Sequence, residues 1–161
     1  MGTRQHHYRA QLVWTGNKGA GTADYAAYDR AHEVKVAGKP ALPLSSDPNF
    51  RGDRARHNPE ELLVASLSSC HMLWYLHLAA EAGIVVTAYE DSAEGVMEED
   101  AGGAGRFVAV TLRPRVHCAP DADRALALAL HQRAHDKCFI ANSVNFPVRC
   151  EAAIAAVDES F

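Results

Sequence analysis

The longest uninterrupted pattern in the chain runs from residue 58 to 83, NPEELLVASLSSCHMLWYLHLAAEAG, and it carries no formal charge between Glu61 and Glu81. Asn58 stands where an N-cap belongs, Pro59 at the first helical position and Glu61 at the capping-box position, so the stretch is predicted to be a helix. Its leucines, with Trp74, do not keep to one narrow stripe. The pattern therefore predicts a central helix covered on most sides, and a chain of 161 residues buries most of it alone or by sharing it with a second copy. A membrane span is the rival reading, because nineteen uncharged residues approach the length that crosses a bilayer. Ser66, Ser68, Ser69, His71 and His77 argue against it, as does the lack of a basic flank.

On either side of this helix the pattern is strand-like. Residues 8–13, 23–29 and 33–37 are predicted strands of an antiparallel sheet, with a glycine-rich turn over 15–21. Residues 38–57 lose periodicity and contain Pro40, Pro43, Pro48 and a basic cluster of Arg51, Arg54 and Arg56, which reads as an ordered surface loop. Beyond Gly83 the run from residue 84 is predicted to extend as a strand toward Met97. It pairs across the turn at 102–105 with the alternating strand at 107–112 in a long hairpin. A strand ending at Cys118 follows. Asp121 is the predicted cap of a second helix ending near Ala134 or His135, with Leu126, Leu128 and Leu130 on it. A last strand, 148–157, puts Val148, Cys150, Ala152, Ile154 and Ala156 on one face. Strands in separate groups around two helices define an α+β fold, and 161 residues suit a single domain, 1–161.

The net charge of -4 and pI near 6.1 give no electrostatic footprint for nucleic acid or an anionic membrane. The N-terminus has no apolar signal-peptide core, which predicts a cytoplasmic protein, so the four cysteines are expected to be thiols rather than a disulfide framework. Cys118 and Cys150 read as small buried hydrophobes. Cys70 and Cys138 differ. Cys70 lies among Ser68, Ser69 and His71 inside the uncharged helix, and Cys138 comes just after the second helix.

A reactive thiol needs its thiolate stabilised, and Cys70 lies twelve residues beyond Asn58, out of reach of the helix dipole. Either a break near 66–69 creates a new helix N-terminus or a cation is brought to the sulfur. Arg51, Arg54 and Arg56 are the nearby supply; taken alone, each is equally a solvated basic loop residue. Glu61 caps the helix, which leaves Glu60 free to orient an arginine. Ten residues of straight helix separate Glu60 from Cys70 by about 15 Å, so a shared site requires a kink, an intervening arginine or a facing subunit.

Asn58-Pro59-Glu60-Glu61-Leu62-Leu63, with Cys70 ten residues after Glu60 and Cys138 in an Ala134-His135-x-x-Cys138 context, resembles the OsmC/Ohr family of thiol peroxidases. The order of strands, central helix, hairpin, second helix and last strand agrees with that resemblance over nearly the whole chain. Cys138-Phe139-Ile140-Ala141-Asn142 departs from the Cys-Pro of many members and marks a separate subfamily. The resemblance implies an OsmC-like fold of antiparallel sheets around a long central helix, in an intertwined homodimer with sites across the interface. It implies Cys70 as the peroxidatic and Cys138 as the resolving cysteine, Glu60 as the carboxylate that orients an arginine, and Arg51, with Arg54 second, as that arginine. Members of the Ohr type draw theirs from the N-terminal turn, where this chain has Lys18. The implied reaction reduces organic hydroperoxides through a sulfenic acid and a Cys70–Cys138 disulfide, regenerated by a lipoyl-type or thioredoxin-like dithiol, with no cofactor or metal. Phe50, Trp74 and Phe139 would supply an apolar mouth.

Two other readings compete. His131, His135 and Cys138, with His117-Cys118 upstream, have the ligand types of a structural zinc site. A non-catalytic redox-sensing or binding module would use the same Cys70 and Cys138 without turnover.

Overall fold

The computed structural model describes residues 2–155, and α-helix and β-strand segregate as an α+β fold. The chain divides into two compact units whose border falls between Leu62 and Leu63.

In the first unit, β1 (Gln11–Trp14), β2 (His32–Lys35) and β3 (Leu42–Leu44) form an antiparallel sheet in that order, with Trp14 opposite His32 and His32 opposite Leu44. The strand expected over 23–29 is absent; those residues form successive turns. Its aromatic residues serve Arg30 instead. The Arg30 guanidinium lies 4.2 Å from the ring centroids of both Tyr25 and Tyr28, and it donates to the carbonyls of Tyr25 and Tyr28 at 2.7 and 2.6 Å. The expected loop at 38–57 contains β3, where Pro43 is tolerated because the strand is at the sheet edge. The rest is an ordered loop: Asp47 caps a 3-10 turn at Pro48–Phe50 through Asn49 N–H (2.8 Å), and Ser45 N–H donates to the His57 carbonyl at 3.0 Å.

Helix α1 (Pro59–Glu81) starts as its sequence predicts. Asn58 Oδ1 accepts from Glu61 N–H at 2.8 Å and Glu61 Oε2 accepts from Asn58 N–H at 3.3 Å, a reciprocal capping box. Gly83, at φ 72, terminates it in the left-handed conformation that glycine adopts without penalty. By length and composition α1 is apolar enough to cross a membrane.

The second unit holds two three-stranded sheets. One is β4 (Val86–Asp91), β7 (Pro114–Cys118) and β9 (Ala153–Ile154), in the order β4-β7-β9; the other is β5 (Glu94–Glu99), β6 (Gly105–Leu112) and β8 (Val148–Cys150), in the order β5-β6-β8. The predicted hairpin is β5–β6, but the run expected as one strand toward Met97 divides into β4 and β5 in different sheets. The expected last strand divides too. Its pieces β8 and β9 pair in parallel with β6 and β7, so the sheets are not purely antiparallel, and positions 156 and 157 lie outside the described residues.

Each sheet has its own core on α1. Leu67 packs with Val110 and Leu112, whereas Tyr75, Leu78 and Ala79 pack with Val116 and with Ala127, Leu130 and Ala134 of α2 (Arg124–Lys137). Buried positions 67, 71, 75 and 78 form one stripe at helical spacing, and Leu73, outside it, is 61% exposed. Within one chain α1 is thus buried along a stripe, not covered on most sides. In α2, Asp123, not Asp121, is the cap, accepting from Leu126 N–H at 2.9 Å, and the helix runs on to Lys137. Leu126 and Leu128 are exposed, since residues two apart point about 200° from each other around a helix. The buried set is Ala127, Leu130, His131 and Ala134.

Candidate functional site

Helix α1 carries Cys70 to the second unit without interruption, so no second helix N-terminus forms beneath the sulfur. The serines there are engaged otherwise. Ser66 Oγ donates to the Leu63 carbonyl at 2.8 Å, and Ser68 Oγ to Asp91 Oδ2 at 2.5 Å. Of the two expected ways to activate Cys70, a nearby cation is the one compatible with a continuous helix.

Cys138 caps the C-terminal end of α2, and its N–H donates to the His135 carbonyl at 3.1 Å. Its thiol is 1% exposed and accepts from Ala141 N–H at 3.4 Å. Burial pushes the Cys138 thiol up to about 11, and a side-chain hydrogen bond with Cys70 pushes in the same direction. The fold thus brings together two cysteines separated by 68 positions: Cys70 half-buried, Cys138 enclosed.

An aromatic edge lies beside the two thiols. Trp74, one helical turn after Cys70, meets Phe139, the residue after Cys138, edge to face at 5.5 Å between ring centroids. Lys137 Nζ sits 5.3 Å from the centroid of Trp74. Trp74 and Phe139 are two of the three predicted apolar residues. Lys137 is a cation absent from the expected set, and its place after His135-Asp136 at a helix end is the signal the sequence carries for it.

The remaining expected residues belong to the first unit. Arg51 ends the 3-10 turn at φ 64, the one non-glycine residue with positive φ among those described, and its guanidinium lies 5.9 Å from the Tyr25 ring centroid. A left-handed backbone costs a non-glycine residue roughly 1–2 kcal/mol. Arg54 is exposed on the same loop, and Arg56 pairs with Asp53 at 3.6 Å. Glu60 is half-buried; its Oε2 atom is buried with no hydrogen-bond partner. Phe50 is 37% exposed.

The expected zinc ligands do not assemble around Cys138. Among the described residues, the grouping of three ligand side chains is His71, His131 and Cys150. His71 Nε2 lies 3.0 Å from His131 Nδ1 and 3.6 Å from Cys150 Sγ. Burial lowers His71 to about 4 and His131 to about 3, and raises Cys150 to about 11. His71 and Cys150 are 79 positions apart, so no local pattern in the sequence joins them.

The geometry defines an α+β protein with two neighbouring thiols, a half-buried one in the middle of α1 and an enclosed one at the C-terminal end of α2. Residues 52–153 match the family model described as OsmC-like protein, and the chain belongs to this family. The structure is similar to that of an OsmC-like protein of unknown function from Vibrio cholerae O1 biovar eltor, with 32% identity, a TM-score of 0.83, and 92% of this chain and 100% of that one covered. It is also similar to the organic hydroperoxide resistance protein OhrB of Bacillus subtilis (24% identity, TM-score 0.61, coverage 91% and 98%). An organic hydroperoxide resistance protein OsmC from Legionella pneumophila, also described as a predicted redox protein, shares the fold at 17% identity (TM-score 0.68, coverage 96% and 100%). The search of curated proteins gave no match.

Proposed function

We propose that this protein, as a single domain over residues 1–161, is a thiol peroxidase that reduces organic hydroperoxides. The observation that carries the reading is the pairing of a half-buried Cys70 with an enclosed Cys138 beside the Trp74–Phe139 edge. A hydroperoxide reaches the more open sulfur first, which makes Cys70 the nucleophile. Its thiolate takes the distal peroxide oxygen, the O–O bond breaks, and the alkoxide leaves as alcohol after gaining a proton. Cys70 is then a sulfenic acid. The Cys138 thiol attacks that sulfur, a disulfide forms, and the hydroxyl leaves as water. An external dithiol, lipoyl-type or thioredoxin-like, reduces the disulfide by exchange.

Arg51 is proposed as the cation that stabilises the Cys70 thiolate, oriented by Glu60. Its strained backbone supports this choice over Arg54, since such strain concentrates where function requires a fixed direction. The partnerless Glu60 Oε2 offers the acceptor that a guanidinium fork fills. Exposed apolar residues, Leu73 on α1 and Phe139, support a homodimer.

The test is thiol titration and intact mass after one equivalent of an organic hydroperoxide. The expected result is rapid loss of two thiols in the wild type, a trappable sulfenic acid in Cys138→Ser, and no fast reaction in Cys70→Ser. Thiols that persist in all three proteins would sink the peroxidase reading and favour the non-catalytic one.

A further inference from the structure

His71, His131 and Cys150 come from α1, α2 and β8, all in the second unit, and their ligand atoms lie within 4.8 Å of one another. His71 is fully buried and His131 4% exposed. A ring nitrogen has one position in the ring plane, holding either a hydrogen or a lone pair. His71 Nε2 nevertheless faces both His131 Nδ1 and Cys150 Sγ. A hydrogen bond serves one of these neighbours at a time, and Cys150 Sγ also accepts from the Ala152 N–H. A cation between the three atoms accepts a lone pair from each.

We propose that His71 Nε2, His131 Nδ1 and Cys150 Sγ form a binding site for Zn²⁺, separate from the Cys70–Cys138 pair.

Metal–ligand lengths of about 2.05 Å for imidazole and 2.3 Å for thiolate put tetrahedral edges at about 3.3 Å for N–N and about 3.6 Å for N–S. The observed 3.0 Å and 3.6 Å are close to both, and the third edge, His131 Nδ1 to Cys150 Sγ, lies within 4.8 Å, so a side-chain rotation that brings Cys150 toward His131 admits the ion. Two imidazoles and one thiolate suit borderline Zn²⁺ and exclude the hard oxygen-seeking cations. The metal takes both imidazoles as neutral ligands and Cys150 as a thiolate. Their remaining N–H groups would sit on His71 Nδ1 and His131 Nε2. Binding is not a redox event: the Cys150 S–H bond breaks, a Zn–S bond forms, and one proton leaves to solvent.

Access and a fourth coordination position come from a surface cavity of about 530 Å³, which His131 and Cys150 line together with Gln132 and His135. Three protein ligands with an open fourth position are the arrangement of a zinc site that can hold water or a small molecule.

The site is tested with reduced, metal-free, full-length protein titrated with Co²⁺, then Zn²⁺, against a weak chelator. One Co²⁺ per chain is expected, with a near-ultraviolet thiolate-to-cobalt charge-transfer band that Zn²⁺ abolishes. Cys150→Ser should lose the band, His131→Gln should bind at least about tenfold more weakly, and the Cys70→Ser/Cys138→Ser double variant should keep both band and stoichiometry. Absence of the band in the wild type, its survival in Cys150→Ser, or its loss in the double variant would overturn the site. Because Cys150→Ser can fail through misfolding, Zn²⁺ protection is measured in the wild type as well. Zn²⁺ should slow alkylation of Cys150 at least about tenfold while leaving Cys118 unchanged, and equal rates with and without Zn²⁺ would refute the proposal.

Discussion

His71 and His131 stack with their rings nearly parallel, 6° apart, and share a hydrogen bond of 3.0 Å in the interior of the second unit. Tyr75 covers the other side of His131 at 4.0 Å between centroids. Neither imidazole can take a proton there without losing solvation, so both titrate well below 6.5.

This sets the pH dependence of the metal-free protein. The folded values, about 4 and about 3, lie below the unfolded 6.5. The unfolded chain therefore binds more protons as pH falls, and stability present above 6.5 is lost progressively toward pH 3. Two such groups give a slope of up to about 2.7 kcal/mol per pH unit, before other groups contribute. Urea unfolding midpoints measured between pH 6.5 and 4.5 should fall steadily; a flat profile would show that these imidazoles are hydrated.

The Asn58–Glu61 capping box makes a prediction about the first turn of α1. Asn58→Ala removes the acceptor for Glu61 N–H and should destabilise the protein by about 1–2 kcal/mol. Asn58→Ser keeps a capping acceptor and should lose less than Asn58→Ala in the same chemical-denaturation series.

Gly95 in β5 marks a close approach. A Cβ built there would lie 2.7 Å from both Phe107 Cε1 and Val64 Cγ2, inside the core between sheet and α1. Gly95→Ala should cost about 1–3 kcal/mol through overpacking. A thermal midpoint equal to wild type would mean that the two side chains yield freely.

Trp74 and Phe139 bear on substrate preference. If their edge receives the organic part of a hydroperoxide, Phe139→Ala should raise KM for a bulky hydroperoxide about tenfold, a loss on the scale of one apolar contact. The same variant should leave the rate with hydrogen peroxide nearly unchanged. An equal loss with both substrates would assign Phe139 to the support of Cys138.

What could be read from the sequence was local. The charge-free run and its capping residues located α1 within one residue at its start and two at its end, because the cap and the helix it starts are neighbours in the chain. The Cys70–Cys138 pair became visible through resemblance, not through spacing. The failures arose where distant partners decide the outcome. Tyr25 and Tyr28 have the propensity of strand residues, but Arg30 holds their rings and carbonyls in a turn. The alternation across 148–154 is real, but the segment changes sheets after Cys150, and no residue there announces the change. Likewise, Cys150 alternates like a packed core residue, and its neighbour His71 Nε2 belongs to a helix 79 positions earlier.

The division of the C-terminal segment between two sheets has a consequence for biosynthesis. Strands β6 and β7 are the central members of their sheets, and each gains its second neighbour from β8 or β9. While residues 148–154 are still inside the ribosome, both strands are raw edges with unpaired backbone groups. The nascent chain therefore passes through a stage in which α1 is already long and apolar and both sheets are open. One short segment, translated late, closes them together, and a stall or truncation before residue 148 would release a chain prone to pair with its neighbours.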